Sequence, residues 1–447
     1  MRLYLRGVRI ALLFLWALAM PSALAQMVDA SGKRIDAFMV DEPPVLDGVL
    51  DDDAWIFGAV ISDLHQVTPE EFAAPTEDSI IYVVYTKDAL YIGARFMDSE
   101  PDRVRPMTLR QGDWSWGEDT ITVMIDPLNQ GRSGYAFDLT VGGVRNQALY
   151  ENVTKQNWSW QGIWHGEARV DEQGWIAEIE IPFKTISFDP SNDVWGLNVG
   201  RYIGRKTEQI GWTSQNRDMN PAAFGEMTGL QGAEQGVGLD VVPSARVNQS
   251  KNFDLDVSSD SVEPAIDVFY KLTPSLTAAL TVNTDFSGTS ADARQINLTR
   301  FGLFFPERRL FFLQDTDIFE FGGIGGQNFA DRTTISRVER ESGRPFFSRR
   351  IGLSGGGETI PIDYGGKLTG RAGGWEIGAL AVRQEAALGL ASSDLMVARL
   401  SRNVFAESNL GFIFTSGDPD SDLDNTLAGV DFRYLNTRLA NGSTVEG

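Results

Sequence analysis

From about residue 36 the chain alternates apolar and polar positions with a period of two. Ile80-Ile81-Tyr82-Val83-Val84-Tyr85 is followed by Leu90-Tyr91-Ile92-Gly93-Ala94-Arg95-Phe96. Thr120-Ile121-Thr122-Val123-Met124-Ile125-Asp126 and Trp175-Ile176-Ala177-Glu178-Ile179-Glu180-Ile181 continue the pattern. Each run is short, rich in β-branched or aromatic residues, and bounded by Gly, Pro, Asp or Asn. Runs of this kind at close spacing predict the strands of a sandwich or barrel. No long stretch has helical periodicity, so residues 36–232 read as one β-sandwich.

The pattern changes at Gly232-Ala233-Glu234-Gln235-Gly236, a polar linker. Beyond it the strands become longer and less apolar, most clearly at 265–270, 275–283, 375–382, 394–401, 409–415 and 427–435. In 375–382 one face carries Trp375, Ile377, Ala379 and Ala381, and the other Glu376, Gly378, Leu380 and Val382. Phe432 and Tyr434 share a face opposite Asp431 and Arg433. Membrane strands of about 9–11 residues alternate outward apolar with inward polar side chains in this way. A second soluble sandwich fits the pattern equally well.

Residues 1–25 read as a secretory signal. Arg2, Arg6 and Arg9 precede an apolar run over 10–20, and Ala23-Leu24-Ala25 gives a small-x-small cleavage site before Gln26. The run is shorter than the roughly 20 residues of a spanning helix. The expectation is export, with any later membrane insertion made by strands.

Composition narrows the chemistry. With 39 basic against 61 acidic residues, the net charge of −22 opposes a general nucleic-acid partner. The absence of cysteine removes thiol catalysis, disulfides and Cys-containing zinc sites. His65 and His165 are the two histidines, and both read as structural. The 46 glycines among 447 residues suit a turn-rich β protein.

Five blocks in order resemble the family 9 carbohydrate-binding module. They are Leu46-Asp47-Gly48-Val49-Leu50-Asp51-Asp52-Asp53-Ala54-Trp55, Ala89-Leu90-Tyr91-Ile92-Gly93, Trp116-Gly117-Glu118-Asp119-Thr120-Ile121-Thr122-Val123-Met124-Ile125-Asp126-Pro127, Trp175-Ile176-Ala177-Glu178-Ile179-Glu180-Ile181-Pro182-Phe183 and Trp195-Gly196-Leu197-Asn198-Val199-Gly200-Arg201. The second half is similar to an uncharacterised outer-membrane β-barrel family that follows such a module. That resemblance rests on Asn283-Thr284-Asp285-Phe286-Ser287, Gln295-Ile296-Asn297-Leu298, Phe304-Phe305-Pro306-Glu307-Arg308-Arg309-Leu310-Phe311-Phe312 and Phe346-Phe347-Ser348-Arg349-Arg350. It implies an all-β fold: a signal peptide (1–25), a module-like sandwich (36–232) and antiparallel outer-membrane barrel strands (237–447). Members of such a family are expected to run well beyond Gly447. The barrel is therefore expected to be incomplete or to need a partner chain. The 304–312 segment, with aromatics bracketing charges, reads either as a plug within the barrel or as an aromatic girdle.

Sugar recognition uses aromatic faces against a pyranose and polar groups on its hydroxyls. All of the eleven tryptophans except Trp16 and Trp375 fall within 36–232. Trp55, Trp175 and Trp195 open or sit within apolar strands and read as core. The candidate sugar-binding residues are Trp116, Trp158, Trp160, Trp212 and Arg145, with Asn146 beside the last. The Asn-Pro expected before that turn is replaced by Thr140-Val141. No catalytic residue is assigned. Glu118 and Asp119 would point to opposite faces of a strand, unlike the paired carboxylates of a glycosidase. Asp418, Asp420, Asp422 and Asp424 alternate as in a calcium loop but lack its Gly and closing Glu, and read as a solvated loop. Calcium can accompany the module, though no ligands are assigned.

Three functions follow as expectations. The first is a carbohydrate-binding outer-membrane protein, contacting a polysaccharide or oligosaccharide and outer-membrane lipid, with the sandwich periplasmic or surface-exposed. The second is a structural, transport or secretion barrel without sugar binding. The third is a glycoside hydrolase of carbohydrate catabolism.

Overall fold

The structure, a computed structural model, describes residues 32–446 except 154, 159, 253–256, 285–306, 308, 323–343, 355–357, 373, 438, 440–442 and 444. Residues 1–25, read above as a signal, and 285–306 of the second-half motifs lie outside the described residues. The described chain is all-β with a few short helical turns.

The first half is two sheets packed face to face. One runs Arg34–Asp36, Gly225–Thr228, Val194–Ile203, Thr120–Asp126, Gly134–Thr140, Arg145–Asn152 and Lys155–Asn157, with Glu208–Gly211 and His65–Thr68 attached. The other runs His165–Asp171, Gly174–Pro182, Ala89–Met97, Ser79–Tyr85 and Phe38–Met39, with Ala59–Ile61 paired to Ser79–Tyr85. The inward residues of the alternating runs meet between them: Ile81, Val83, Ile92, Ile121, Val123, Phe137, Ile179 and Leu197 share one core. Trp175 stacks on Phe96 at 4.5 Å, and Trp195 meets Phe183 and Phe188 at 5.6 Å each.

The opening motif is tied to the second of these sheets. Glu178, fully buried, accepts the Asp47 and Gly48 amides at 2.9 and 2.7 Å. Gly48 has φ +80°, and a Cβ there would lie 2.7 Å from that of Arg169. Trp55, in the helical turn Asp53–Ile56, covers Gly93, where a Cβ would meet Leu50 at 2.8 Å and the indole at 3.1 Å.

The second half is an eight-stranded antiparallel meander in strict chain order: Leu239–Asn252, Val257–Thr273, Leu276–Val282, Ile362–Ala372, Trp375–Gln384, Ser393–Val404, Ser408–Ser416 and Thr426–Arg433. The described residues form an open sheet, with no closed barrel among them. Its burial is inverted relative to the sandwich. Ile377, Ala379 and Ala381, then Met396, Ala398 and Leu400, are exposed on one face, as are Leu410 and Phe412 of the next strand. The other face buries Lys367, Thr369, Arg371, Arg399, Asp431 and Arg433.

Part of the chain between Val282 and Ile362 packs on that polar face. Phe311, Phe312 and Phe319 join Leu380, Val382, Leu395 and Ile413. Arg309 donates to Glu307 at 2.9 and 2.7 Å and to the Ser348 and Ile351 carbonyls, and lies over Phe312 at 4.1 Å. Asp317 pairs with Arg371, and Asp315 accepts from Thr369 at 2.6 Å. The described part of the 304–312 stretch, 307 and 309–312, thus packs on the sheet's polar face; 304–306 and Arg308 lie outside the described residues.

Candidate functional site

The sandwich carries a groove of about 560 Å3 beside the strand Arg145–Asn152. Its wall combines Trp158, half-exposed, with Gln111, Arg145, Asn146, Gln161 and His165. The polar groups are fixed by their neighbours. The Gln111 side-chain Oε1 accepts the Arg145 backbone amide at 2.8 Å, and the Asn146 side chain donates to the Asp113 backbone carbonyl at 2.9 Å. Gln147 accepts the Trp164 indole N–H at 3.0 Å and donates to Gln161 at 2.9 Å. The Arg145 guanidinium donates to the Trp164 carbonyl and lies 5.8 Å from that ring. Planar amides, a guanidinium and an aromatic face supply directional hydrogen bonds and a stacking surface together.

The 111–117 loop that borders the groove also holds an aromatic shelf. Trp114 and Trp116 meet edge-on at 4.0 Å, and Tyr202 lies 5.8 Å from Trp116 and 6.4 Å from Trp114. Trp116 is 72% exposed, so its face is open to solvent.

The structure brings together Arg145, Asn146 and Trp158; Trp116 lies apart from them against Trp114 and Tyr202, on the loop that also carries Gln111. It does not bring in Trp160 or Trp212, and this corrects the sequence expectation. Trp160 is 6% exposed and packs against Tyr135 and Phe137 at 5.1 and 5.9 Å. Trp212 is 2% exposed, covers Gly225 and donates to Asp63 at 3.0 Å. Neither has a free face for a pyranose. Sequence reasoning missed Trp114, Gln111 and Gln161, and read His165 as structural where it is exposed in the groove wall. The Trp114-Ser115-Trp116 spacing pointed to the first; nothing marked the glutamines.

The acids do other work. Glu118 accepts the Thr108 amide at 3.0 Å and its hydroxyl, whereas Asp119 accepts the Gly204 amide at 3.0 Å beside Arg201. They have separate partners and flank no common space. Glu77 is tied to Arg205 at 2.9 Å and to Lys206, and Arg205 reaches Asp98 at 2.6 Å. Burial pushes Glu77 up, but Lys206, Ser99 and Arg205 outweigh it and hold it at about 2. Asp138, on Gly134–Thr140 opposite Asn146, is raised to about 7 by burial, against a hydrogen bond from Thr122.

His65 Nε2 lies 2.9 Å from Ser214 Oγ, which donates to Glu71 at 2.7 Å. Here the serine sits between acid and imidazole and is fully buried, which is the wrong order for a nucleophile. Among the described residues, no group of three or more His, Asp or Glu converges as a metal site. Asp418 and Asp422 instead accept the Asp420 and Ala391 amides at 2.9 and 2.8 Å.

Residues 46–232 match the family model described as carbohydrate family 9 binding domain-like. Residues 237–325 match a model described as a domain of unknown function, DUF5916. No curated protein matches. Among solved structures, a family 9 carbohydrate binding module from Caldicellulosiruptor kristjanssonii in complex with glucose is similar, with 16% identity and a TM-score of 0.31, over 44% of this chain and 95% of that one. The same module in complex with cellotriose gives 16% identity and a TM-score of 0.31, over 45% and 95%.

Proposed function

We propose that the sandwich binds a saccharide along the groove of Trp158 and Arg145, extended by the Trp114–Trp116 shelf. The observation that carries this is the joining of an exposed indole to fixed amide and guanidinium donors, within the segment that matches the carbohydrate-binding family model. The role proposed is binding, which is what the matched family model describes.

We further propose that the meander forms part of an outer-membrane barrel wall. Its support is the exposed apolar face set against a covered face that buries Lys367, Arg371, Arg399, Asp431 and Arg433 beside Leu380, Val382 and Leu395, in strict antiparallel chain order. The outward face is then the lipid face. The signal-like residues 1–25 support the export this needs.

Calorimetric titration of the full chain in detergent with a glycan panel tests the site. Trp158→Ala and Arg145→Ala are expected to weaken binding tenfold or more, about 1.4 kcal/mol each. Trp116→Ala is expected to weaken long oligosaccharides more than short ones. Unchanged affinity in Trp158→Ala would place the site elsewhere.

A further inference from the structure

The eight-stranded sheet has two unlike ends. At one, strands are joined by minimal connections: Pro274-Ser275 between the second and third, Phe405-Ala406-Glu407 between the sixth and seventh, and an equally tight link from Ala372 to Trp375. At the other end the links are long. Apart from the four-residue link 253–256, they are 283–361, 385–392 and 417–425.

Every described hydrogen bond between sandwich and sheet falls at the short-turn end. Arg132 donates to the Ser408, Val404 and Phe405 carbonyls at 2.7, 3.1 and 2.9 Å. Asn403 donates to Gln130 at 3.1 Å, and the Phe188 amide to the Pro274 carbonyl at 3.3 Å. Lys271 reaches the Ile186 carbonyl, and Asn216 the Thr437 carbonyl at 3.0 Å. A small charged cleft of about 40 Å3 lies where Arg132 and Ser133 of the sandwich approach Glu376, Arg399 and Arg433 on the polar face. The sandwich therefore seats against the short-turn rim and the polar side of the sheet. It does not hang from a linker.

Outer-membrane barrels keep short turns on the periplasmic side and long loops outside. We infer that the sandwich is docked on the periplasmic rim, with 385–392 and 417–425 facing the exterior. This rests on the barrel reading above. It means that the groove meets saccharides inside the outer membrane and does not capture them from the medium.

The cysteine-free chain makes a direct test available. Two single-cysteine variants of the full chain are made: Leu423→Cys on an exposed long loop and Glu172→Cys on an exposed turn of the sandwich. Cells expressing each are treated with a membrane-impermeant maleimide before and after the outer membrane is opened, with labelling of denatured protein as the reference. The expected result is Leu423→Cys labelled in intact cells and Glu172→Cys labelled only after opening. Labelling of Glu172→Cys in intact cells, or protection of Leu423→Cys there, overturns the orientation. Fractionation of the same cells separates the two claims: loss of the unmodified protein from the outer-membrane fraction overturns the barrel reading, and with it the orientation.

Discussion

Trp158 and Trp160 are two positions apart and have opposite surroundings. The strand Lys155–Asn157 ends just before them, so the period of two that would put both rings on one side no longer applies. Trp158 lines the groove; Trp160 fills space beside Phe137. Trp160→Ala is therefore expected to cost about 3–5 kcal/mol of stability, whereas Trp158→Ala should stay within about 0.5 kcal/mol. Chemical denaturation of both variants checks this. Asp138 and Glu77 make predictions of opposite sign. Asp138 is raised from an ordinary 3.8 to about 7, so its charge burdens the folded state as pH rises through that window. Asp138→Asn should raise Tm, with the gain growing from pH 4 to 7. Glu77 is lowered from 4.5 to about 2, so its contribution is full above 4.5 and lost as pH falls toward 2. Glu77→Gln should lower Tm at pH 6, with the deficit shrinking below pH 4. Thermal melts across pH decide both.

At the scale of elements, alternation was the legible signal, and its polarity carried more than its presence. The strand Trp375–Gln384 shows the two faces expected from its sequence, and the apolar Trp375-Ile377-Ala379 face is the exposed one. Two strands were less clear in the sequence for physical reasons. Ile362–Ala372 is Gly-rich with buried Lys367 and Arg371, a poor match to strand propensity. Leu239–Asn252 holds Pro243, which an outer strand of the sheet tolerates. The groove was only half legible. Its aromatic and Arg145 were visible as residue types, while Gln111 and Gln161 converge through loop geometry that no spacing encodes. If the exposed face meets lipid, Phe412→Arg at mid-strand should cost about 2–4 kcal/mol of stability in bilayers. An equally exposed change on the sandwich, Val60→Arg, should cost little. Unfolding from lipid vesicles compares them.

For the whole molecule, the two halves obey opposite burial rules and meet along one rim. The sandwich hides its apolar faces between sheets, whereas the meander exposes one apolar face and buries its charges with a smaller apolar cluster on the other. Arg132 binds three backbone carbonyls of the sheet's short-turn end, which fixes the sandwich there. Arg132→Ala should loosen the union without unfolding either core. Limited proteolysis would then release the sandwich as an intact fragment sooner than in the parent. The central claim remains the saccharide groove, and titration of the full chain and its Trp158→Ala variant against one panel of oligosaccharides tests it most directly. The account predicts saturable binding by the parent that falls at least tenfold in the variant, with Tm unchanged. Saturable binding of equal strength by both proteins, or none by a parent that melts cooperatively, would contradict it.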